Sequence, residues 1–506
     1  MNIADWIDRH AAYAPGKAAI LFENREVTYA ALAQEIERLA GALVHDLGVA
    51  AGDRVAILAY NRPEFLTLVF ACARIGAICV PLNWRLAPPE HSYILQDAEA
   101  AVLLCDAPFR EGVVAIRAEL PLRALVGFGF SGEGWRDYAS LLQAGRMSER
   151  RGRLEDPLLI VYTSGTTGRP KGAVLTQNAL QWNAINSTAL HDLVSTDRVL
   201  TFLPMFHVGG LNIQTLPALH AGATVILQPR FQPAETLQAI ARRRPSITLV
   251  VPAVMSALIA DPAWRTTDIS CLRLVGAGSS IIPLDLIRAF HVRGVPVCQV
   301  YGSTETAPIA IVLRREDAMR KEGSTGTAAL HCEVRIVDDQ GRDVAPGVRG
   351  EIVVRGHNVM TGYWRDPAAT AEALVDGWFH TGDIGHQDEE GFFWVDERKK
   401  DLIISGGENI YPAELEAVLT ECREVAEAAV VARPDPKWGE VPVAVVVRRP
   451  GTRLAADQVR ALFAGRLARF KHPHDVIFVD NLPRNVIGKV LRYRLRELVR
   501  DRRSDT

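Results

Sequence analysis

The chain has 506 residues, more than one ordinary hydrophobic core holds, so two or more domains are expected. Its 48% hydrophobic and 23% charged residues are those of a soluble globular protein, and a net charge of −2 excludes the basic footprint of nucleic-acid recognition. The seven cysteines are scattered, odd in number and without CxxC spacing, which argues for free thiols in a reducing compartment and against disulfides or zinc.

The first residues, Met1-Asn2-Ile3-Ala4-Asp5, have neither the basic nor the apolar region of a secretory leader. Thr28 is placed to cap a helix whose apolar residues recur through Leu39 and Leu43, and Arg54–Leu58 reads as a strand. A helix from Arg62 to Ile75 and a strand at Ala77–Leu82 follow. The apolar run Phe65–Leu82 is broken by Arg74 and Gly76, so it reads as buried structure and not as a membrane span. With no internal repeat and no span, a cytoplasmic location is expected. This alternation argues for a parallel sheet wound with helices. The same rhythm is clearer further on, with strands expected at 158–162, 199–203, 223–227, 247–251, 272–276 and 297–301. Beyond about 325 the alternation Glu333–Asp338 and Glu351–Arg355, with turns at Asp339-Gln340-Gly341 and Pro346-Gly347, reads as short antiparallel strands. After the charged run Asp396–Asp401, about 105 residues remain, enough for a small domain.

Between the apolar runs Leu158–Val161 and Ala173–Leu175 lies Tyr162-Thr163-Ser164-Gly165-Thr166-Thr167-Gly168-Arg169-Pro170-Lys171-Gly172. Its glycines allow close backbone approach, and its hydroxyls and one ammonium add donors, a composition suited to a polyphosphate. It is not a Walker A loop, because Lys171 is followed by Gly172 where that pattern requires Ser or Thr. The run resembles the signature of the adenylate-forming superfamily: acyl-CoA synthetases, luciferases and the adenylation domains of peptide synthetases. Four later segments match that superfamily's motifs in the same order, namely Tyr301-Gly302-Ser303-Thr304-Glu305, Thr381-Gly382-Asp383, Arg398 with Lys400, and Pro483–Lys489. Glu397 stands where the family usually has glycine before the arginine.

The resemblance implies an α/β fold with a large N-terminal domain of wound α/β sheets and a small β-barrel-like subdomain over residues 1–399. A small, mobile α+β C-terminal domain, 400–506, would rotate about a hinge near Lys400. The implied reaction is ATP-dependent activation of a carboxylic acid as acyl-AMP, then transfer of the acyl group to CoA. The implied nucleotide site comprises Thr163, Ser164, Gly165, Thr166, Thr167, Gly168, Lys171, Gly278, Ser279, Tyr301, Gly302, Ser303, Asp383 and Arg398. Tyr301 would lie against adenine, Thr304 on the α-phosphate, Glu305 on Mg²⁺, and Asp383 and Arg398 on the ribose. A hard carboxylate oxygen suits Mg²⁺ shared with phosphates, and a carboxylate can accept from both ribose hydroxyls. Lys489 would bridge the acyl carboxylate and the α-phosphate in the first half-reaction.

By the same resemblance, CoA is expected at Arg85, Gly406, Gly407, Trp438, Phe470 and His472, with the two aromatics sandwiching its adenine. The acyl pocket is expected at His207, Gly209, Gly276, Ala277, Gly302, Ala307 and Pro308, with His207 gating it. That lining is small and apolar and holds no Lys or Arg, so a second carboxylate would be buried unpaired, which disfavours malonate-type acids. An aromatic ring and an alkyl chain both remain open. No carrier domain is fused to the chain, so free CoA is a simpler acceptor than a separate carrier protein. A non-catalytic relative would be expected to lack Lys171, Glu305 or Lys489, and all three are present. A homodimer is compatible with the sequence but not read from it.

Overall fold

The computed structural model describes residues 2–501 apart from 87, 144, 148, 164–169, 279–281, 399–402, 406–407, 411, 436–438, 465–466, 468 and 486–487. Contacts divide the chain into two compact units. The larger comprises residues 1–335, 353–381 and 391–393, and the smaller comprises 336–352, 382–390 and 394–506.

In the larger unit, Thr28 caps the helix Tyr29–His45, its hydroxyl accepting from the Ala31 amide at 3.2 Å. Leu32, Ile36, Leu39 and Leu43 recur on one buried face of that helix. The helix Pro63–Ile75 starts with proline in its first turn and ends at Gly76, whose φ of +76° suits a residue without a Cβ. Every side chain along it is buried, as the apolar run predicts. Among the described residues, no helix is long and apolar enough to cross a membrane.

Two sheets organise this unit. One is eight-stranded, in the order Gly362–Tyr363, Lys171–Thr176, Pro157–Thr163, Ile78–Pro81, Arg54–Leu58, Ala100–Asp106, Ala124–Phe128 and Trp135–Asp137. From Pro157–Thr163 onward its neighbours are parallel, and the first two strands join it antiparallel. The other is nine-stranded. Its parallel centre runs Val297–Tyr301, Leu274–Gly278, Ile247–Val250, Arg198–Thr201, Thr224–Leu227 and Ala18–Phe22. The strands expected between 158 and 301 therefore all form. Their distribution is less regular than their rhythm: the hairpin Pro157–Thr176 belongs to the sheet of the earlier segment, and Ala18–Phe22 crosses into the later one. Short apolar runs report burial, not which sheet they enter.

The strands Cys332–Val337, Gly350–Gly356, Trp378–Gln387 and Phe393–Arg398 follow the expected change of pattern, and the division between the units passes through each of them. In the smaller unit, a five-stranded sheet orders Glu408–Ile410, Ile403–Ser405, Gly439–Arg448 and Val425–Asp435, with Asp475–Phe478 parallel to Gly439–Arg448. The helices Pro412–Thr420, Ala456–Ala461 and Arg492–Asp501 belong to the same unit, making it α+β.

Candidate active site

The polar loop is carried at the end of an antiparallel hairpin. Thr163 stands opposite Lys171 in the ladder, and its hydroxyl donates to the Lys171 carbonyl at 3.4 Å. Residues 164–169, which include Ser164, Gly165, Thr166, Thr167 and Gly168, lie outside the described residues, as does Ser279. The hairpin base is anchored on both sides: Tyr162 donates to Asp97 at 2.5 Å, and Tyr93 donates to the Pro170 carbonyl at 3.2 Å.

Gly278 and Tyr301 end adjacent parallel strands, with Gly278 opposite Val300, which places both at carboxyl ends where ligands of wound sheets collect. The chain then turns sharply. Gly302 has φ +156°, and a Cβ there would lie 1.5 Å from the Pro308 carbonyl oxygen, so no larger residue fits without moving the backbone. Thr304–Thr306 form a single 3-10 turn. Asn358 donates to the carbonyls of Thr306 and Ile309 at 2.7 and 2.8 Å, and Asn183 accepts from the Ile309 amide at 3.0 Å. Thr304, Ala307 and Ile309 are buried, and the two asparagines hold the segment by three hydrogen bonds.

One contact joins the loop hairpin to this turn. Gly362–Tyr363 pairs antiparallel with Lys171–Thr176, and the Tyr363 hydroxyl donates to the Glu305 carboxylate at 2.8 Å. The Glu305 carbonyl accepts from the Met360 amide at 2.7 Å. Lys171 Nζ lies 5.5 Å from the Tyr363 ring centroid and 3.9 Å from Asp366. Burial, reinforced by the Glu305 charge, raises the Tyr363 phenol well above its usual range, so it stays a donor at any working pH. Thr163, Lys171, Tyr301, Thr304 and Glu305 are thus gathered at one end of the two sheets. Tyr363, Asn358 and Asn183 escape motif reading, because each acts on a residue 49 or more positions away.

His207 precedes the short helix Val208–Asn212, and its Nδ1 accepts from the Gly209 amide at 3.0 Å. The proton of the neutral ring is therefore on Nε2, and desolvation pushes the imidazole down to about 4. Beside it, the Arg85 guanidinium lies over the Trp84 ring at 4.4 Å and 5.8 Å from the Phe206 ring.

Gly276 and Ala277 sit on the strand between Ile247–Val250 and Val297–Tyr301. An apolar cluster including Leu190, Ile213, Leu249, Val300 and Ile309 lies around this strand end. A Cβ on Gly276 would meet Gln214 Nε2 at 2.7 Å, Leu249 Cδ1 at 3.1 Å and His191 Nε2 at 3.3 Å. The region is therefore not uniformly apolar, as its linear segments suggest. A buried amide and a buried imidazole stand behind Gly276, contributed by residues that no motif contains.

His191 is fully buried, and desolvation lowers it to about 4. Its folded value lies below the unfolded value near 6.5, so between these two pH values the unfolded chain binds more protons. The contribution to stability is complete above about pH 6.5 and is lost as pH falls through 4, at most on the order of 3 kcal/mol. Thermal unfolding midpoints are expected to fall across that window in the wild type, and the slope is expected to flatten in His191→Gln. Parallel slopes would show that His191 is not the group responsible.

The remaining predicted residues belong to the smaller unit or to undescribed positions. Asp383 is buried on the strand Trp378–Gln387, one residue after Gly382, whose amide donates to Glu351 at 3.0 Å. Lys489 closes a tight loop: its amide donates to the Asn485 side chain and its carbonyl accepts from the Asn485 amide, both at 2.8 Å. Arg484 and Val490 bridge across that loop, and Arg484 pairs with Glu427 at 2.7 Å. His472 donates its Nε2 proton to the Leu467 carbonyl at 2.9 Å. Arg398 ends the strand Phe393–Arg398, and Phe470 lies in a 3-10 turn, but their side chains fall outside the described set. Lys400, Gly406, Gly407 and Trp438 lie outside the described residues.

Comparison with known proteins gives matches along nearly the whole chain. Residues 7–364 match the family described as AMP-binding enzyme, and residues 414–489 match the AMP-binding enzyme C-terminal domain. An indoleacetate–CoA ligase from Aromatoleum aromaticum is 54% identical over 502 residues, covering 99% of this chain and 98% of that protein. A feruloyl-CoA synthase from an Amycolatopsis species is 42% identical, covering 98% of each. A crystal structure of an anthranilate CoA ligase in complex with anthranoyl-AMP superposes with a TM-score of 0.89 at 28% identity, covering 98% of this chain and 97% of that one.

Proposed function

The chain belongs to the AMP-binding enzyme family, in the acyl- and aryl-CoA ligase branch of the adenylate-forming superfamily, and from that premise we propose that its acid is aromatic. The enzyme is an ATP-dependent acid–CoA ligase. A carboxylate oxygen of the acid attacks the α-phosphorus of ATP, pyrophosphate leaves, and a mixed anhydride with AMP forms. The CoA thiolate then attacks the acyl carbon, and AMP leaves with the pair of electrons of the anhydride bond. Direct thiolysis of the carboxylate would have to expel oxide, so the energy of ATP goes into creating a better leaving group.

The observation that carries the aromatic reading is the pair Gln214 and His191 behind Gly276. An alkyl chain continuing past Gly276 would bury methylenes against an amide and an imidazole. A flat ring ending there buries its faces on Leu249, Ile213 and Ile309 and meets polar groups only at its edge. Relatives named for indoleacetate and ferulate support the same class. The test is kcat/KM for indole-3-acetate, ferulate and phenylacetate against saturated acids from octanoate to palmitate, read as CoA-dependent AMP release. Preference for an aryl acid is expected, and preference for palmitate would refute the reading.

Within this reading, Lys171 and the hydroxyls of the loop bind the ATP phosphates, Thr304 meets the α-phosphate, and His207 stands between the acyl site and the route for the thiol. Residues 400–506 turn about Lys400 between the two half-reactions, carrying Lys489 and the CoA-binding residues Trp438, Phe470 and His472. The Glu305 carboxylate, a hard oxygen donor oriented by Tyr363, would hold Mg²⁺ together with phosphate oxygens, and the ion would offset the charge of departing pyrophosphate. Among the described residues there is no cluster of three or more potential ligands. A reducing, cytoplasmic setting agrees with seven unpaired cysteines.

Tyr363→Phe removes the only hydroxyl on that ring and leaves the packing in place. Hydrogen bonds to charged groups are worth about 1.5–3 kcal/mol, so the variant is expected to need roughly tenfold more Mg²⁺ for half-maximal adenylation. A Mg²⁺ titration of pyrophosphate release reads this directly, and an unchanged midpoint would contradict the orienting role.

A further inference from the structure

We infer that Gln214 is a specificity residue that accepts a hydrogen bond from an N–H or O–H group on the ring of the acid. This inference rests on the aromatic reading above and goes beyond it by naming what the ring must carry.

The orientation of the Gln214 amide is dictated by its neighbours. Its Nε2 donates to the Thr248 carbonyl at 3.3 Å and faces His191 Nε2 at 3.2 Å. His191 Nδ1 lies 3.0 Å from the Ser187 carbonyl, which can only accept, so the ring proton sits on Nδ1 and Nε2 is the acceptor. The imidazole is fully buried and stays neutral, which keeps that assignment. Both amide protons of Gln214 therefore have partners, and flipping the amide would set its oxygen against the Thr248 carbonyl. Gln214 Oε1 is left buried without a partner, in a side chain that is 2% exposed. A buried acceptor without a partner costs on the order of 1–3 kcal/mol, a cost that a bound donor would remove.

Space beside Gln214 fits a donor and little more. The cavity there is about 10 Å³ and is also lined by Gly209, Gly210, Phe202 and Leu249. The other hydroxyls on its wall already have partners, since Thr215 donates to the Gly210 carbonyl at 2.7 Å and lies 2.8 Å from the Thr201 hydroxyl. Gln214 Oε1 is thus the acceptor left for a ligand. The missing Cβ of Gly276 makes room for the Gln214 amide itself, since a Cβ there would lie 2.7 Å from its Nε2. A site that presents a buried acceptor rejects an isostere lacking the donor, whereas an apolar pocket hardly distinguishes the two.

The test compares indole-3-acetate with benzothiophene-3-acetate, which replaces the ring N–H by sulfur and keeps the shape. The readout is kcat/KM for CoA-dependent AMP release. The wild type is expected to favour the N–H acid by about 10- to 100-fold, the factor that one lost buried hydrogen bond produces. In Gln214→Leu, and in Gln214→Met as a second variant should the first fold poorly, the ratio is expected to collapse to within about threefold. Unfolding midpoints report whether each variant is folded. Equal use of the two acids by the wild type, the result expected if Gln214 Oε1 binds only a trapped water, would overturn the inference while leaving the aromatic reading intact. A preference that survives in both variants would overturn it in the same way. Turnover of saturated acids with neither bicyclic acid accepted would overturn both readings together.

Discussion

Lys489→Ala is expected to slow acyl-AMP formation by a factor of about 10²–10³, while thioester formation from supplied acyl-AMP and CoA stays within about threefold of wild type. The expectation follows from where the charge changes. Negative charge accumulates between the acyl carboxylate and the α-phosphate during the first half-reaction, and an ammonium aimed there stabilises the transition state more than the ground state. In the second half-reaction the charge develops on a leaving phosphate that is already esterified, and under the proposed rotation about Lys400 the domain carrying Lys489 would have turned. The backbone of this lysine is fixed by local bonds. Its backbone is bonded to Asn485 through both amide and carbonyl, Gly488 beside it has φ +84°, and Arg484 ties the loop to Glu427. Rapid-quench measurement of each half-reaction separates the outcomes, and equal loss in both would contradict the assignment.

Glu305→Ala is expected to lower adenylation by a comparable factor, about 10² or more, with a smaller effect on the affinity for the acid. The carboxylate is held at both ends of its residue, by the Tyr363 hydroxyl on the side chain and by the Met360 amide on the backbone carbonyl. Removing it deletes the oxygen proposed to hold Mg²⁺ and leaves the half-buried Tyr363 hydroxyl without its acceptor. Some loss of stability accompanies the loss of rate for that reason. Glu305→Gln retains an acceptor for Tyr363 and separates the two effects: it should restore the unfolding midpoint without restoring the rate. If Glu305→Gln were as active as wild type, the carboxylate would have no role in holding the ion.

The parts of this account visible in the sequence are those encoded locally. The cap at Thr28, the buried helix ending at Gly76 and the strand end at Tyr301 are each set by neighbouring residues, and the structure places them where composition and periodicity predict, whereas the strand expected at 272–276 runs Leu274–Gly278. The loop at 162–172 stands out because glycines, hydroxyls and a cation follow one another in the order that resembles the superfamily's signature. What escaped is non-local. The Tyr363–Glu305 bond spans 58 positions, and no motif contains His191, at the end of the helix Gln177–His191, or Gln214, just before the helix Thr215–His220. Sheet membership escaped as well, since an apolar run such as Ala18–Phe22 satisfies any buried slot and is assigned to one only by its partners. The acyl pocket suffered most. The proposed walls at Gly209, Gly276 and Gly302 are glycines, which report room, whereas the side chains packed against Gly276, Gln214 and His191, come from elsewhere in the chain.

The central claim, that the acid is activated as an adenylate before CoA reacts, is tested most directly with an aryl acid labelled with oxygen-18 in its carboxylate. Turnover with ATP and CoA should place one labelled oxygen in AMP and none in pyrophosphate, because the bond cleaved in the second step leaves the former carboxylate oxygen on phosphorus. Unlabelled AMP, or label appearing in inorganic phosphate, would contradict the account.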